Sequence, residues 1–173
     1  LALGSCPTTE QTSSAKPAGF LGDYSKLAKG SEGEGQLIYL PAGAKFEKYD
    51  SVLLDPVTFW VAADSDPAKL DEEKRQNLAD RLYASVHTRL SKDYKIVTTP
   101  GPKVMRVRAA ITGAEGALIV LNTITSTLPQ LRLISKLVDL DKDDAVMVGK
   151  CSVECEVLDS VSGKRLVAAV DER

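Results

Sequence analysis

The sequence is short of the residues that most often carry chemistry. It has one histidine and three cysteines in 173 residues. With a single histidine, His87, and no paired CxxC motif, a zinc site of the His/Cys kind lacks ligands at the usual spacing. Aromatic residues make up 5% of the chain, with one tryptophan, Trp60. Neither sign of charge is in excess, since Lys+Arg 22 against Asp+Glu 24 leaves a net charge of -2. Such a chain has no strong field to draw in nucleic acid or an anionic lipid surface. Apolar runs such as 117–121 fall far below the ~20 residues of a bilayer-spanning helix. There is no Gly-x-Ser-x-Gly elbow, no phosphate loop and no metal-ligand spacing, so no catalytic residue, metal or cofactor is expected. Gly113-Ala114-Glu115-Gly116 reads as a turn and not as a nucleotide fingerprint.

What is present suits one ordinary domain. Hydrophobic residues at 43% and charged residues at 27% are enough to build a core. The chain opens with Leu3-Gly4-Ser5-Cys6, an apolar residue and two small ones before a cysteine. Small side chains are what a signal peptidase accepts beside its cut, and this quartet looks like a bacterial lipobox whose Cys6 takes the lipid. The same quartet also arises by chance at an ordinary N-terminus. Residues 1–5 are accordingly expected to be the remnant of a signal peptide, 6–18 a lipidated cysteine and flexible polar tether, and 19–173 a single domain. Pro7 stands where enteric bacteria place Asp to retain lipoproteins in the inner membrane, so the outer membrane is the expected location. The membrane would be met through the lipid anchor only.

The fold class expected is α/β (α+β): a mixed, largely antiparallel sheet packed by one long helix and one or two shorter ones. Residues 19–27 bring back apolar side chains and should lie against the domain. A loop over 29–35 leads to a strand at 36–40. The run 49–62, broken by Asp55-Pro56, reads as a central strand with a bend. Asp66 is placed to cap and Pro67 to open a helix over 67–90, with Leu78, Leu82, Val86 and Leu90 as its buried stripe. A short strand at 94–98 ends at Pro100-Gly101-Pro102. Over 104–112, Met105, Val107, Ala109 and Ile111 alternate with Val104, Arg106, Arg108 and Ala110, as in a sheet with one buried face. The stretch 117–140 reads ambiguously, extended at 119–125 with a short helix possible in 129–140. Strands at 145–158 and 165–171 should form a hairpin through 159–164. Beside 104–112, this hairpin would set Glu154 and Glu156 against Arg106 and Arg108 on the solvent side. Cys151 and Cys155 lie four residues apart on one strand, too far to bridge, and should be buried reduced thiols. A further helix after Arg173 is also expected.

Four strings in this order carry a resemblance: Gly-Phe-Leu-x-Asp-Tyr-Ser at 19–25, Leu-Asp-Pro-Val at 54–57, Glu-x-Glu-x-Leu-Asp-Ser at 154–160, and Gly-Lys-x-Leu-x-Ala-Ala-Val-Asp at 163–171. On these the chain resembles the bacterial DUF3313 lipoproteins over almost its whole length. The resemblance implies a secreted, lipid-anchored α/β domain of a family with no established activity. In element order alone it is similar to the small periplasmic domains of TolB-type and curli-secretion-type envelope proteins.

His87 borders the apolar stripe with no motif pointing to it, and reads as a surface histidine. Asp50, Asp55, Asp64 and Asp66 suit turn, bend and cap roles better than a carboxylate pair. Phe59 and Trp60 are adjacent and would face opposite sides of a strand. Tyr24, Phe59 and Trp60 are therefore the candidate interaction surface. The function expected is that of a non-enzymatic envelope lipoprotein presenting its domain to an envelope protein or the cell wall. A ligand-binding protein or a hydrolase with an unrecognised site is the alternative. A subunit of a larger assembly is a third possibility.

Overall fold

The computed structural model describes residues 16–31, 34–60, 72–115 and 150–172. In chain order its elements are β1 (Ala28–Lys29), β2 (Leu37–Tyr39), β3 (Ser51–Leu54), β4 (Thr58–Phe59), α1 (Glu72–Leu90), β5 (Lys95–Val97), β6 (Val104–Glu115), β7 (Lys150–Asp159) and β8 (Arg165–Glu172). The strands form one sheet in the order β1-β2-β8-β7-β6-β3-β5, with β4 also paired to β6.

Strand β6 divides the sheet by pairing type. On one side it runs antiparallel to β7, and β7, β8, β2 and β1 continue antiparallel. On the other side β3 and β4 run parallel to it, and β5 runs parallel to β3. Parallel neighbours cannot be joined by a tight turn. The connection that makes β3 and β5 parallel carries α1. Strands β3 and β4 are two pieces of one line along β6, separated at Asp55-Pro56, where Pro56 has no N–H to give a ladder.

Period-two alternation sends successive side chains to opposite faces. Met105, Val107, Ala109 and Ile111 of β6 join Val153, Cys155 and Val157 of β7 under α1, where Ala79, Leu82, Val86 and Leu90 are buried at three- and four-residue spacing. Glu72 and Glu73 in the first turn of α1 and Arg89 in its last complement the helix dipole. The opposite face holds a smaller cluster of Phe20, Leu21, Ala110, Ala168 and Val170. Both faces of the centre of the sheet are therefore covered, one by a helix and the other by the segment 18–27.

Several sequence expectations are refined. The mixed α/β sheet is present, and α1 is the one helix among the described residues, so shorter helices have no counterpart there. The candidate at 129–140 lies outside the described residues, as do the strand candidate at 119–125, Asp64, Asp66, Pro67, residues 145–149, Cys6 and most of the tether. Strand β6 does not stop at Thr112 but continues through Glu115 after a register shift near Gly113, because β7 is long enough to keep pairing with it. The expected loop at 29–35 instead begins inside a short pairing of β1 with β2.

Candidate functional site

The most deeply buried charged group among the described residues is Glu154, in the middle of β7 and 0% exposed. Its side chain points to the face away from α1, where the chain from Ala18 to Leu27 crosses as a strap. The Ala18 amide donates to Oε1 at 2.6 Å and the Leu21 amide to Oε2 at 3.3 Å. The Tyr24 hydroxyl donates to Oε2 at 2.5 Å, and accepts from the Gly19 amide at 2.8 Å and the Leu21 amide at 3.2 Å. One carboxylate and one phenol thus fold the strap's first turn over themselves. Gly19 and Gly22 adopt φ of 100° and 73°, which glycine tolerates without strain.

Arg165 holds the strap's second half. Its Nη1 donates to the Asp23 carbonyl and its Nη2 to the Leu21 carbonyl, both at 2.6 Å, while Nε donates to Glu156 at 2.8 Å. The Glu156 carboxylate also receives Arg108 Nη1 at 2.6 Å. Arg108 lies with Cζ 5.0 Å from the Phe20 ring centroid, so the guanidinium both pairs with the acid and roofs the aromatic. Arg106 turns elsewhere, gripping Asp55 through Nε and Nη2 at 2.8 to 3.0 Å. The strap, β2 and the turn between β7 and β8 enclose an open cleft of about 420 Å³ beside this network. Asp159 organises that turn by accepting from the Val161 and Ser162 amides, the Ser162 hydroxyl and Tyr49. Those donors, the Ser162 amide foremost, hold its carboxyl well below the usual range.

The expectation for Glu154 and Glu156 needs correction. They do not face solvent: the strap lies over them, leaving 0% and 3% exposure. The register sets Arg108 opposite Glu156 but Ala110 opposite Glu154 and Leu158 opposite Arg106. Asp55, read as a bend residue, is also an ion-pair partner. Asp50 accepts from the Ser51 hydroxyl and lies 3.7 Å from Lys103. Of the candidate surface, Tyr24 is half-buried in the clamp and Phe59 packs toward the helix-side core. Trp60 is 44% exposed, its Nε1 donating to the Ala18 carbonyl at 3.1 Å and its ring edge-on to Phe20 at 5.9 Å. Tyr24 and Trp60 thus each contact the strap, through Gly19 and Leu21 and through Ala18 and Phe20, while Phe59 packs on the helix side. His87 stacks on Tyr83 along α1. Cys151 and Cys155 are free thiols on the helix side, and burial, with the Asp171 charge second, pushes both up to about 12. Neither is a thiolate at neutral pH. No cluster of metal-ligating side chains occurs among the described residues.

Tyr24 makes a pH-dependent test of the clamp. Burial first, and then its bond to Glu154, raises its pKa from 10.0 to about 12. The folded state holds this proton more tightly than the unfolded chain does. Its contribution to stability is therefore complete below about pH 10 and is lost as pH rises through about 12. Trp60, the only tryptophan, reports the strap because it is bonded to Ala18. Its emission should change over this window in the native sequence, and Tyr24→Phe should lack that step. Superimposable profiles for the two proteins would contradict the clamp.

Comparison with known proteins gives three findings. The profile of a family described as "Protein of unknown function (DUF3313)" matches residues 16–173. The uncharacterized lipoprotein YdcL of Escherichia coli K12 is 28% identical over 121 residues, covering 66% of this chain and 52% of that protein, and the YdcL of Escherichia coli O157:H7 matches to the same extent. The match spans about half the length of these curated relatives. Among solved structures, the PelC dodecamer from Paraburkholderia phytofirmans aligns with a TM-score of 0.36 at 12% identity, covering 79% of each chain.

Proposed function

Since the chain belongs to the DUF3313 family of proteins of unknown function, we propose that it is a bacterial envelope lipoprotein, anchored through a lipid on Cys6 to the outer membrane and presenting its α/β domain to a protein or cell-wall partner in the periplasm. The observation that carries this reading is the strap. A domain that hangs from a lipid is pulled at its N-terminal end, and a frayed end gives way first. Here the chain is fastened at Ala18, Leu21 and Asp23 to Glu154 and Arg165, side chains of the two inner strands β7 and β8. Load entering along the tether reaches the middle of the sheet within a few residues.

The name of the E. coli relatives, uncharacterized lipoprotein, supports the anchor. No helix among the described residues is long and apolar enough to cross a membrane. The buried acids support binding over catalysis, because Glu154 is held by donors of the strap, and Glu156, which lines the cleft, is held by the guanidiniums of Arg108 and Arg165. The cleft beside the strap favours a second reading, a ligand-binding domain, which shares the anchor and the absence of a catalytic role. In the full-length precursor, Cys6→Ser should move the protein from the membrane fraction to the soluble fraction. Retention in the membrane at native levels would reject the lipoprotein reading.

A further inference from the structure

We propose that the cleft between the strap and the β7–β8 turn binds a small organic anion, a phosphate or carboxylate group carried on a sugar-sized body. The proposal rests on reading the domain as a binding module, and adds the chemistry of the ligand.

The cleft measures about 420 Å³, within the range of small-molecule sites. Four cations line it, Lys26, Arg108, Lys164 and Arg165, against the two carboxylates of Asp23 and Glu156. This excess occurs on a chain whose net charge is -2. The two acids offset only part of it, the exposed Asp23 by acting on Arg165 and Lys26. Glu156 is answered by two guanidiniums, Arg108 at 2.6 Å and Arg165 at 2.8 Å, which leaves that trio positive. Asp23 accepts from the Ser25 amide at 2.9 Å. Lys26 and Lys164, both exposed, have no carboxylate within ion-pairing distance among the described residues. Arg108 spends Nη1 on Glu156, and its Nη2 has no acceptor among the described residues. A concave surface with one sign of charge in excess focuses potential, and an anionic oxygen group fits guanidinium and ammonium donors best.

The rest of the wall argues for a body behind the charge. Tyr39 presents its ring beside Lys26, whose Nζ lies 6.0 Å from the centroid. Leu21 and Leu158 supply apolar surface. An isolated ion has no use for that wall, whereas a sugar ring can lie against it while its anionic group reaches the lysines.

The test is a titration of the full chain at low salt with glucose 6-phosphate, glucuronate and glucose, followed by NMR. Saturable shifts are expected at Lys26, Tyr39 and Lys164 for one or both anionic sugars and not for glucose. If only one of the two anions binds, the cleft selects that group, phosphate or carboxylate. The double variant Lys26→Glu, Lys164→Glu should bind about tenfold more weakly, and because both positions are exposed its melting should be unchanged. No saturation up to about 10 mM, equal binding of glucose, shifts mapping away from the cleft, or undiminished binding by the variant would each overturn the proposal. The shift map of the native chain decides the matter even if the variant folds poorly. Because the titration needs no membrane, its failure leaves the anchor at Cys6 standing, and retention of Cys6→Ser in the membrane leaves the cleft standing.

Discussion

Glu154→Ala is expected to lower the stability of the domain by about 3 kcal/mol, a fall in Tm of roughly 6 to 12 °C for a chain of this size. The substitution leaves the Ala18 and Leu21 amides and the Tyr24 hydroxyl without their acceptor, under the strap. An orphaned buried donor costs about 1–3 kcal/mol, and the lost side-chain volume adds a cavity term. Relief of the carboxylate's own desolvation offsets part of this, which holds the sum near 3 and not at twice that. Glu154→Gln keeps the shape and one acceptor oxygen, so about half the loss is expected. Combining Glu154→Ala with Tyr24→Phe should cost less than the two single losses added, because each removes the same bond. A Tm within about 2 °C of the native value for Glu154→Ala, or strict additivity with Tyr24→Phe, would show that the carboxylate does not organise the strap.

How far the fold can be read from the sequence differs between the two faces of the sheet. The helix side is legible because one residue type repeats at one period: Met105, Val107, Ala109 and Ile111 on β6, and Leu82, Val86 and Leu90 on α1. The strap side is not, because its charged residues look like a solvent face. Arg108, Glu154, Glu156 and Arg165 are what an exposed antiparallel pair would also carry. The contrary sign was present in the neighbours. Ala110, Ala168 and Val170 point to the same face, and a strand surface that alternates charges with small apolar residues is one that something covers. The covering element was itself readable at 19–27, but its attachment depends on contacts some 130 residues away in the chain, as between Tyr24 and Glu154, and no local pattern encodes those. The four strings that carry the family resemblance converge here: Phe20, Leu21, Asp23 and Tyr24 from the first, Glu154 and Glu156 from the third, Ala168 and Val170 from the fourth, with Asp55 of the second 4.0 Å from Arg108. Strings that seem unrelated along the chain are the parts of one fastening.

Arg165→Met tests whether that fastening opens separately from the rest of the domain. Methionine keeps an unbranched apolar stem but loses the fork that binds the Asp23 and Leu21 carbonyls and Glu156. Charge-assisted bonds of this kind contribute about 1.5–3 kcal/mol each. They share one guanidinium and the strap is solvated on its outer side, so the expected loss is about 2–3 kcal/mol in total. That loss should be local. The strap packs through Phe20 and Leu21 into the small cluster, whereas the helix-side cluster draws nothing from residues 16–27. Residues 18–27 should then gain protease sensitivity, and Trp60 emission should shift as its bond to Ala18 loosens. The cooperative melt of the helix-side core should move by much less. Arg165→Lys should fail to restore the strap, since an ammonium cannot present three donors in one plane. If the melt and the Trp60 signal instead move together, the strap and the core are one cooperative unit. If only the Trp60 signal moves, Arg165 fastens a strap that opens from a domain that stays folded.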